Sequence, residues 1–189
     1  MNLVLASASP RRSELLRRAG IPFRVIKPRI EEKPDYTLPP REMVVRLAAE
    51  KALSVSGTLE EGFVLGADTV VVYRGEVLGK PDSPEDARRM LRLLNDDVHE
   101  VLTGLVIINP ENGAREDACS ETKVWFKKLS DKEINAYIDS GEPLDKAGAY
   151  GIQGRASLFV ERIEGCYFNV VGLPLSLLYD LMKKMRLEA

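Results

Sequence analysis

Hydrophobic positions along this chain fall into two rhythms, a near-continuous one that predicts buried strands and a three-and-four spacing that predicts amphipathic helices. Val64 to Tyr73, VLGADTVVVY, is an apolar run rich in β-branched residues and reads as a buried strand. Asn2 to Ala6 predicts an earlier strand, and Phe23 to Ile26 a short second one. Between them Ser9 suits an N-cap and Pro10 the first helical position, with Leu15, Leu16 and Ala19 on one face and Gly20 and Pro22 closing the helix. Lys27 to Thr37, with Pro28, Pro34 and the pair Glu31-Glu32, is a loop. A second helix is predicted from Pro40 to Ser56, stopping at Gly57, with Val44, Leu47, Ala48 and Val55 as its stripe.

After the Val64–Tyr73 run, Arg74-Gly75 predicts a tight hairpin into Glu76–Leu78, and Ser83-Pro84-Glu85-Asp86 opens a helix burying Ala87, Met90, Leu91 and Leu94. Val98–Ile108 and Cys119–Phe126 are expected to pair around the turn Asn109 to Gly113. Ser130-Asp131-Lys132-Glu133 is a capping box for a short helix ending near Gly141. Glu142 to Gly154 reads as a polar, glycine-rich loop. Leu158–Ile163 is expected to be a strand, Phe168–Val171 another, and Leu173-Pro174 opens a last helix burying Leu177, Leu178, Leu181 and Met185. Strands alternating with helices, and at least one hairpin, indicate an α/β fold on a mixed sheet.

One charge breaks the Val64–Tyr73 run, and it directs the search for chemistry. Asp68 among valines must be paired, protonated or bound to a cation, because a bare buried carboxylate costs several kcal/mol. It is either a structural acid, capping backbone or paired with a buried Arg, or a catalytic base or metal ligand. Arg11 and Arg12 fall in the first turn of a helix, where cations oppose the macrodipole. They either point to solvent or complete an anion site with the free N–H groups. Lys51 falls on the inward face of the second helix, either snorkelling to the rim or reaching a buried phosphate. Lys80 stands at a strand terminus. The loop to Gly154 has the glycines to bring backbone N–H groups near a phosphate, although it matches neither a Walker pattern nor G-x-G-x-x-G.

Composition narrows the classes. A chain of 189 residues makes one ordinary domain, or two small lobes sharing a sheet, and buries roughly 70% of its unfolded surface. With 27 basic and 29 acidic side chains the net charge is −2, so there is no global pull toward nucleic acid or anionic membrane. Cys119 and Cys166, outside any C-x-x-C pattern, indicate free thiols in a reducing compartment. His99, the only histidine, is expected to be a strand residue. The charge order of the amino terminus is the reverse of a signal peptide's and no window is long and apolar enough to span a bilayer, so a soluble, cytoplasmic protein is expected. The polar set Arg11, Arg12, Glu32, Lys51, Asp68 and Lys80 combines cations for phosphates with acids for a divalent ion, a combination suited to phosphoryl transfer.

The runs LASASPRRSELL, GADTVV followed by GKP, and EPLDKAGAYGIQG followed by GLP resemble, in order and over nearly the whole chain, the Maf family of nucleotide pyrophosphatases. The resemblance implies a two-lobed α/β fold related to the inosine-triphosphate pyrophosphatases, a mixed twisted sheet flanked by helices with a central cleft. It also implies hydrolysis of a nucleoside triphosphate to monophosphate and pyrophosphate with a divalent cation, Mg²⁺ or Mn²⁺. By position, Asp68 matches the general base. Glu32, with Asp68, matches the metal site, and Ser7, Ser9, Arg11, Lys51 and Lys80 match phosphate-binding positions. Arg12, Thr69 and Gln153 match the positions that mark the branch acting on dTTP and UTP.

The sibling branch acting on 7-methyl-GTP differs there, with a tryptophan near the first arginine and no AYGIQG loop. An amide such as Gln153 can pair with a uracil edge through one donor and one acceptor, and one extra thymine methyl changes binding by only about 1–3 kcal/mol, so both pyrimidines fit the expectation. Asp68 beside a divalent cation would have a lowered pKa, which leaves direct base action and a cation-activated water both open. The alternatives are another non-standard nucleotide as substrate, or a non-catalytic regulator of septum formation, the process from which the family takes its name. Related small enzymes often form symmetric dimers, so a homodimer is an expected partner besides the nucleotide, with neither nucleic acid nor membrane.

Overall fold

The fold, a computed structural model that describes residues 2–187, hangs on one long strand. In chain order the elements are β1 (Leu3–Ala6), α1 (Pro10–Arg18), β2 (Arg24–Ile26), α2 (Pro40–Ser56), β3 (Phe63–Tyr73), β4 (Glu76–Leu78), α3 (Pro84–Leu94), β5 (Val98–Ile108), β6 (Arg115–Phe126), α4 (Asp131–Ile138), β7 (Val160–Glu164), α5 (Tyr167–Val171) and α6 (Leu175–Lys184). Three short 3₁₀ turns lie between α4 and β7. The sheet runs β2-β1-β3-β5-β6-β7, with β4 also on β3. β1 is parallel to both β2 and β3, and the remaining pairs are antiparallel. It is therefore a seven-stranded mixed sheet flanked by helices.

On one edge β3 is shared. β1 pairs with its first part, from Leu3↔Phe63 to Ala6↔Gly66, and β4 with its last, from Val71↔Leu78 to Tyr73↔Glu76. Neither reaches Ala67–Val70, so the edge forks and leaves a gap there. The other edge has no gap, since β5 pairs from Val64↔Ile108 to Val72↔Glu100. The chain leaves β1 and β4 on the two sides of the gap, so the segments that follow them face each other across it.

Alternation along β3 sends Val64, Gly66, Asp68, Val70 and Val72 to the face covered by α2, and Leu65, Ala67, Thr69 and Val71 to the face covered by the other helices. The helix lies close because two strand residues on its face are glycines. A Cβ at Gly66 would stand 2.1 Å from the Ala48 carbonyl, and one at Gly104 would stand 2.6 Å from that of Val44. Gly104 is the cross-strand partner of Asp68. Val44, Ala48 and Lys51 share one side of α2, so the same close approach carries Lys51 toward Asp68.

Local chemistry explains most boundaries. Ser9 accepts from Arg12 N, Ser83 from Asp86 N, and Ser130 closes a complete capping box with Glu133. Arg74 (φ 49°) and Gly75 (φ 85°) both take the left-handed conformation that a two-residue hairpin between twisted strands needs.

Elsewhere the expectations give way. Phe168–Val171 is not a strand but part of α5, because the Thr122 hydroxyl pins both N and O of Cys166 at the helix start and Gly172 (φ 116°) ends it. Leu158 closes a 3₁₀ turn and is 74% exposed, and the strand begins at Val160. β6 starts at Arg115, four residues earlier than expected, since β5 pairs even its charged outer residues. In α6 it is Met182 that joins Leu178 and Leu181 in the core, with Leu177 and Met185 packed at its edge. Nor is the loop to Gly154 wholly peripheral, because Ala149, Tyr150 and Ile152 are buried. His99 lies in β5, buried against Phe126 and Tyr150.

Candidate active site

The fork in the sheet opens into a cleft of about 1120 Å³. Ser7, Ser9, Arg11, Arg12, Glu32, Lys51, Asp68, Thr69, Lys80 and Gln153 all line it. They come from both flanks of the gap: the β1–α1 turn, the loop before α2, α2 itself, the uncovered part of β3, the end of β4, and the long loop after α4.

On the α2 face Asp68 is 7% exposed and Lys51 6%. Lys51 Nζ donates to Asp68 Oδ1 at 2.5 Å and pairs with Glu32 Oε2 at 2.8 Å. Asp68 thus sits mid-strand, paired with a lysine rather than an arginine, and Lys51 points inward rather than to the rim. Its second carboxylate oxygen has no protein partner among the described residues and is open to the cleft. Burial pushes the Asp68 carboxyl above the ordinary range; Lys51 and Arg12 oppose that shift, and the charge of Glu32 adds to it. A carboxylate with one oxygen held, one free and a raised proton affinity is equipped to take a proton.

Two carboxylates converge on one ammonium here, and a divalent ion is the other group such an arrangement could hold. Glu32 and Asp68 offer hard oxygen donors, and no cluster of three potential ligands occurs among the described residues. That donor set fits Mg²⁺ or Mn²⁺, which bind through one or two carboxylates and complete their shell with water and phosphate.

On the opposite face Arg12 is buried at the start of α1 instead of pointing to solvent. Its Nε donates to the Gly172 carbonyl at 2.8 Å, Nη1 to Ser7 Oγ at 3.3 Å and Nη2 to Thr69 Oγ1 at 3.0 Å. Burial lowers its pKa against the opposing charge of Asp68. Ser7 Oγ also accepts from Ser9 N at 3.1 Å, and Ser9 Oγ from Arg12 N at 3.5 Å. Both hydroxyls act as acceptors toward the protein and keep a proton for an anion at the helix start. Arg11 pairs with Asp145 at 3.3 Å. Lys80 and Gln153 are exposed on the cleft wall, and their side chains have no partner among the described residues.

The sequence reading passed over several residues that build this wall. Glu142 accepts from Tyr137 Oη at 3.1 Å and Arg155 N at 3.1 Å, and a Cβ at Gly154 would stand 2.0 Å from its carboxylate. A side chain at Gly154 would have to push the Glu142 carboxylate from its present place. Lys146 Nζ donates to the Glu142 carbonyl at 2.6 Å and to Asp145 at 2.5 Å, so the loop carries its own brace. Behind Thr69 lie Thr103, Asn169 and Thr122, all buried. Each is a polar residue in or beside an apolar stretch, the same signal that singled out Asp68.

A family profile described as "Maf-like protein" matches residues 2–185. The chain is 49% identical over 182 residues to a dTTP/UTP pyrophosphatase of Pelotomaculum thermopropionicum, covering 96% of this chain and 95% of that one. It is 52% identical over 180 residues to a dTTP/UTP pyrophosphatase of Moorella thermoacetica, with 95% and 93% covered. Among solved structures, the Staphylococcus aureus Ham1 protein superposes with a TM-score of 0.55 over 98% of this chain and all of that one, at 15% identity, a likeness of fold.

Proposed function

This chain belongs to the Maf family, and from that premise we propose that it is a dTTP/UTP pyrophosphatase, hydrolysing the triphosphate to the monophosphate and pyrophosphate. The observation that carries the reading is the half-committed carboxylate of Asp68, held by Lys51 at the gap in β3 and open to a cleft that also presents Arg11, Arg12 and Lys80.

In the proposed reaction a water attacks the α-phosphorus and gives its proton to the free oxygen of Asp68. The bond from that phosphorus to the α–β bridging oxygen breaks, and pyrophosphate leaves. Lys51 fixes the Asp68 carboxylate and balances its charge before the proton arrives. Ser7, Ser9 and Arg11 at the start of α1, with Lys80 from the other flank, bind the phosphate oxygens. Glu32 and Asp68 would hold Mg²⁺ or Mn²⁺, which when bound neutralises charge building on the phosphates. Arg12, Thr69 and Gln153 face the base.

Two free cysteines support a reducing, cytoplasmic setting, and no helix among the described residues is long and apolar enough to cross a membrane.

The test is product analysis with dTTP, UTP, CTP, GTP and 7-methyl-GTP, each with Mg²⁺ and with chelator, resolving pyrophosphate from orthophosphate. Pyrophosphate from dTTP and UTP, dependent on the cation and lost in Asp68→Asn while triphosphate still binds, is expected. Turnover confined to 7-methyl-GTP would refute the substrate reading, and full activity of Asp68→Asn would remove Asp68 from the mechanism.

A further inference from the structure

Thr69 is the near end of a buried hydrogen-bonded chain whose polarity is fixed. Its Oγ1 accepts from Arg12 Nη2 at 3.0 Å and lies 3.0 Å from Thr103 Oγ1. Thr103, fully buried, lies 3.1 Å from the Asn169 carbonyl, an acceptor only. Asn169 is in turn tied across the sheet, its Nδ2 donating to the Val101 carbonyl at 2.8 Å and to Thr122 Oγ1 at 3.0 Å. If Thr103 gave its proton to Thr69, its oxygen would face the Asn169 carbonyl with no proton between two buried acceptors, which is unfavourable. Thr103 therefore donates to Asn169, and Thr69 donates to Thr103. The Arg12 charge at the opposite end aligns both hydroxyl dipoles the same way.

With its proton directed away from the cleft and one lone pair used by Arg12, the Thr69 oxygen has one lone pair left. Thr69 is partly exposed and lines the cleft. Beside it Arg12 has engaged three of its five N–H groups, so the wall at this point offers an uncharged acceptor next to spare donors. The other carboxylate acceptors near β3, Glu32 and Asp68, each bond Lys51, and the free oxygen of Asp68 is assigned to the attacking water.

Resting on the pyrophosphatase reading, we propose that Thr103 is a specificity-positioning residue. By taking the Thr69 proton it locks Thr69 as an acceptor for the ring N3–H that uracil and thymine share, and sets it against cytosine, whose N3 has no hydrogen. A pocket whose hydrogen bond must be made rejects the base that cannot make it. Neither Thr103 nor Asn169 touches the substrate; they act through Thr69.

The experiment measures pyrophosphate release from UTP, CTP and 3-methyl-UTP by the wild-type enzyme and by Thr103→Val and Thr103→Ser. The wild type is expected to prefer UTP over both CTP and 3-methyl-UTP by about tenfold or more in kcat/KM. Thr103→Val frees the Thr69 proton to turn toward the cleft, so the UTP:CTP ratio falls about tenfold, whereas Thr103→Ser keeps it. The valine variant leaves the Asn169 carbonyl bonded to Gly172 N, so the loop keeps an anchor. Equal losses on UTP and CTP in Thr103→Val would make the residue merely structural and overturn the proposal. So would wild-type turnover of 3-methyl-UTP at the UTP rate, an arm that needs no variant to fold. No pyrophosphate from UTP or dTTP at all would remove the underlying reading, and the inference with it.

Discussion

His99 makes acid sensitivity of this fold calculable, because it is the only histidine in the chain. Its ring is buried, its Nε2 bonded to Tyr150 Oη at 2.7 Å and its Nδ1 without a partner among the described residues. Burial lowers its pKa from 6.5 to about 3, with Asp97 opposing only weakly. The native state therefore refuses a proton that the unfolded chain accepts below pH 6.5. The unfolded state binds more protons across that window, so stability rises with pH: the contribution is whole above 6.5 and is lost as pH falls toward 3. The slope is about 1.4 kcal/mol per pH unit once the unfolded histidine is mostly protonated, and the loss from about pH 7.5 to about pH 5 is about 2 kcal/mol. Carboxylates contribute mainly below that range. Guanidinium unfolding at several pH values, compared with His99→Gln, isolates the effect. Glutamine can still bond Tyr150 but does not titrate, so its loss over the same range is expected to be smaller by about 2 kcal/mol, whatever its stability at neutral pH. Parallel curves for the two proteins would mean that native His99 protonates freely, and that the burial argument fails.

Other outcomes follow from the packing at the site. Lys51→Met leaves Asp68 buried without its cation and should lower stability by about 3 kcal/mol in urea unfolding, whereas the double replacement Lys51→Met with Asp68→Leu should recover most of it and remain inactive. Gly66→Ala puts a methyl group against the Ala48 carbonyl, so α2 must lift; a loss of about 3 kcal/mol and a lower kcat are expected together, and a fully active, fully stable variant would contradict the close approach. Gln153→Ala should reduce kcat/KM for UTP more than for a purine triphosphate, and equal losses would show that the amide does not read the base.

What the sequence made legible was whatever is decided within a few residues. Ser9-Pro10, the Ser130 box and Arg74-Gly75 announce their elements because caps and tight turns are local chemistry. Asp68 announced itself by its cost among valines. α5 was hidden because YFNVV favours a strand by composition, and the contacts that coil it, from Thr122 and Gly172, arrive from elsewhere in the fold. Gly66 and Gly104 were hidden for the same reason, since each matters only once α2 lies over it. The gathering of ten candidate residues into one cleft followed from linked motifs read together; Arg12, taken alone, was equally compatible with solvent. The pairing of Lys51 with Asp68 needed the register of helix on sheet, which no spacing along the chain encodes.

The fork in β3 constrains motion as well as position. Both flanks of the cleft are fastened to one eleven-residue strand, and that strand is bound along its far side to β5 without interruption. Among the described residues both flanks are tied to the central strands, so a rigid-body change in the width of the mouth has to twist the ribbon of β3 and β5, while the loops before α2 and after α4 can move on their own. Hinge and core are the same object. Hydrogen exchange should therefore find the β3–β5 amides among the slowest in the chain, and a variant that slackens the ribbon should lose the cleft and the fold in a single transition.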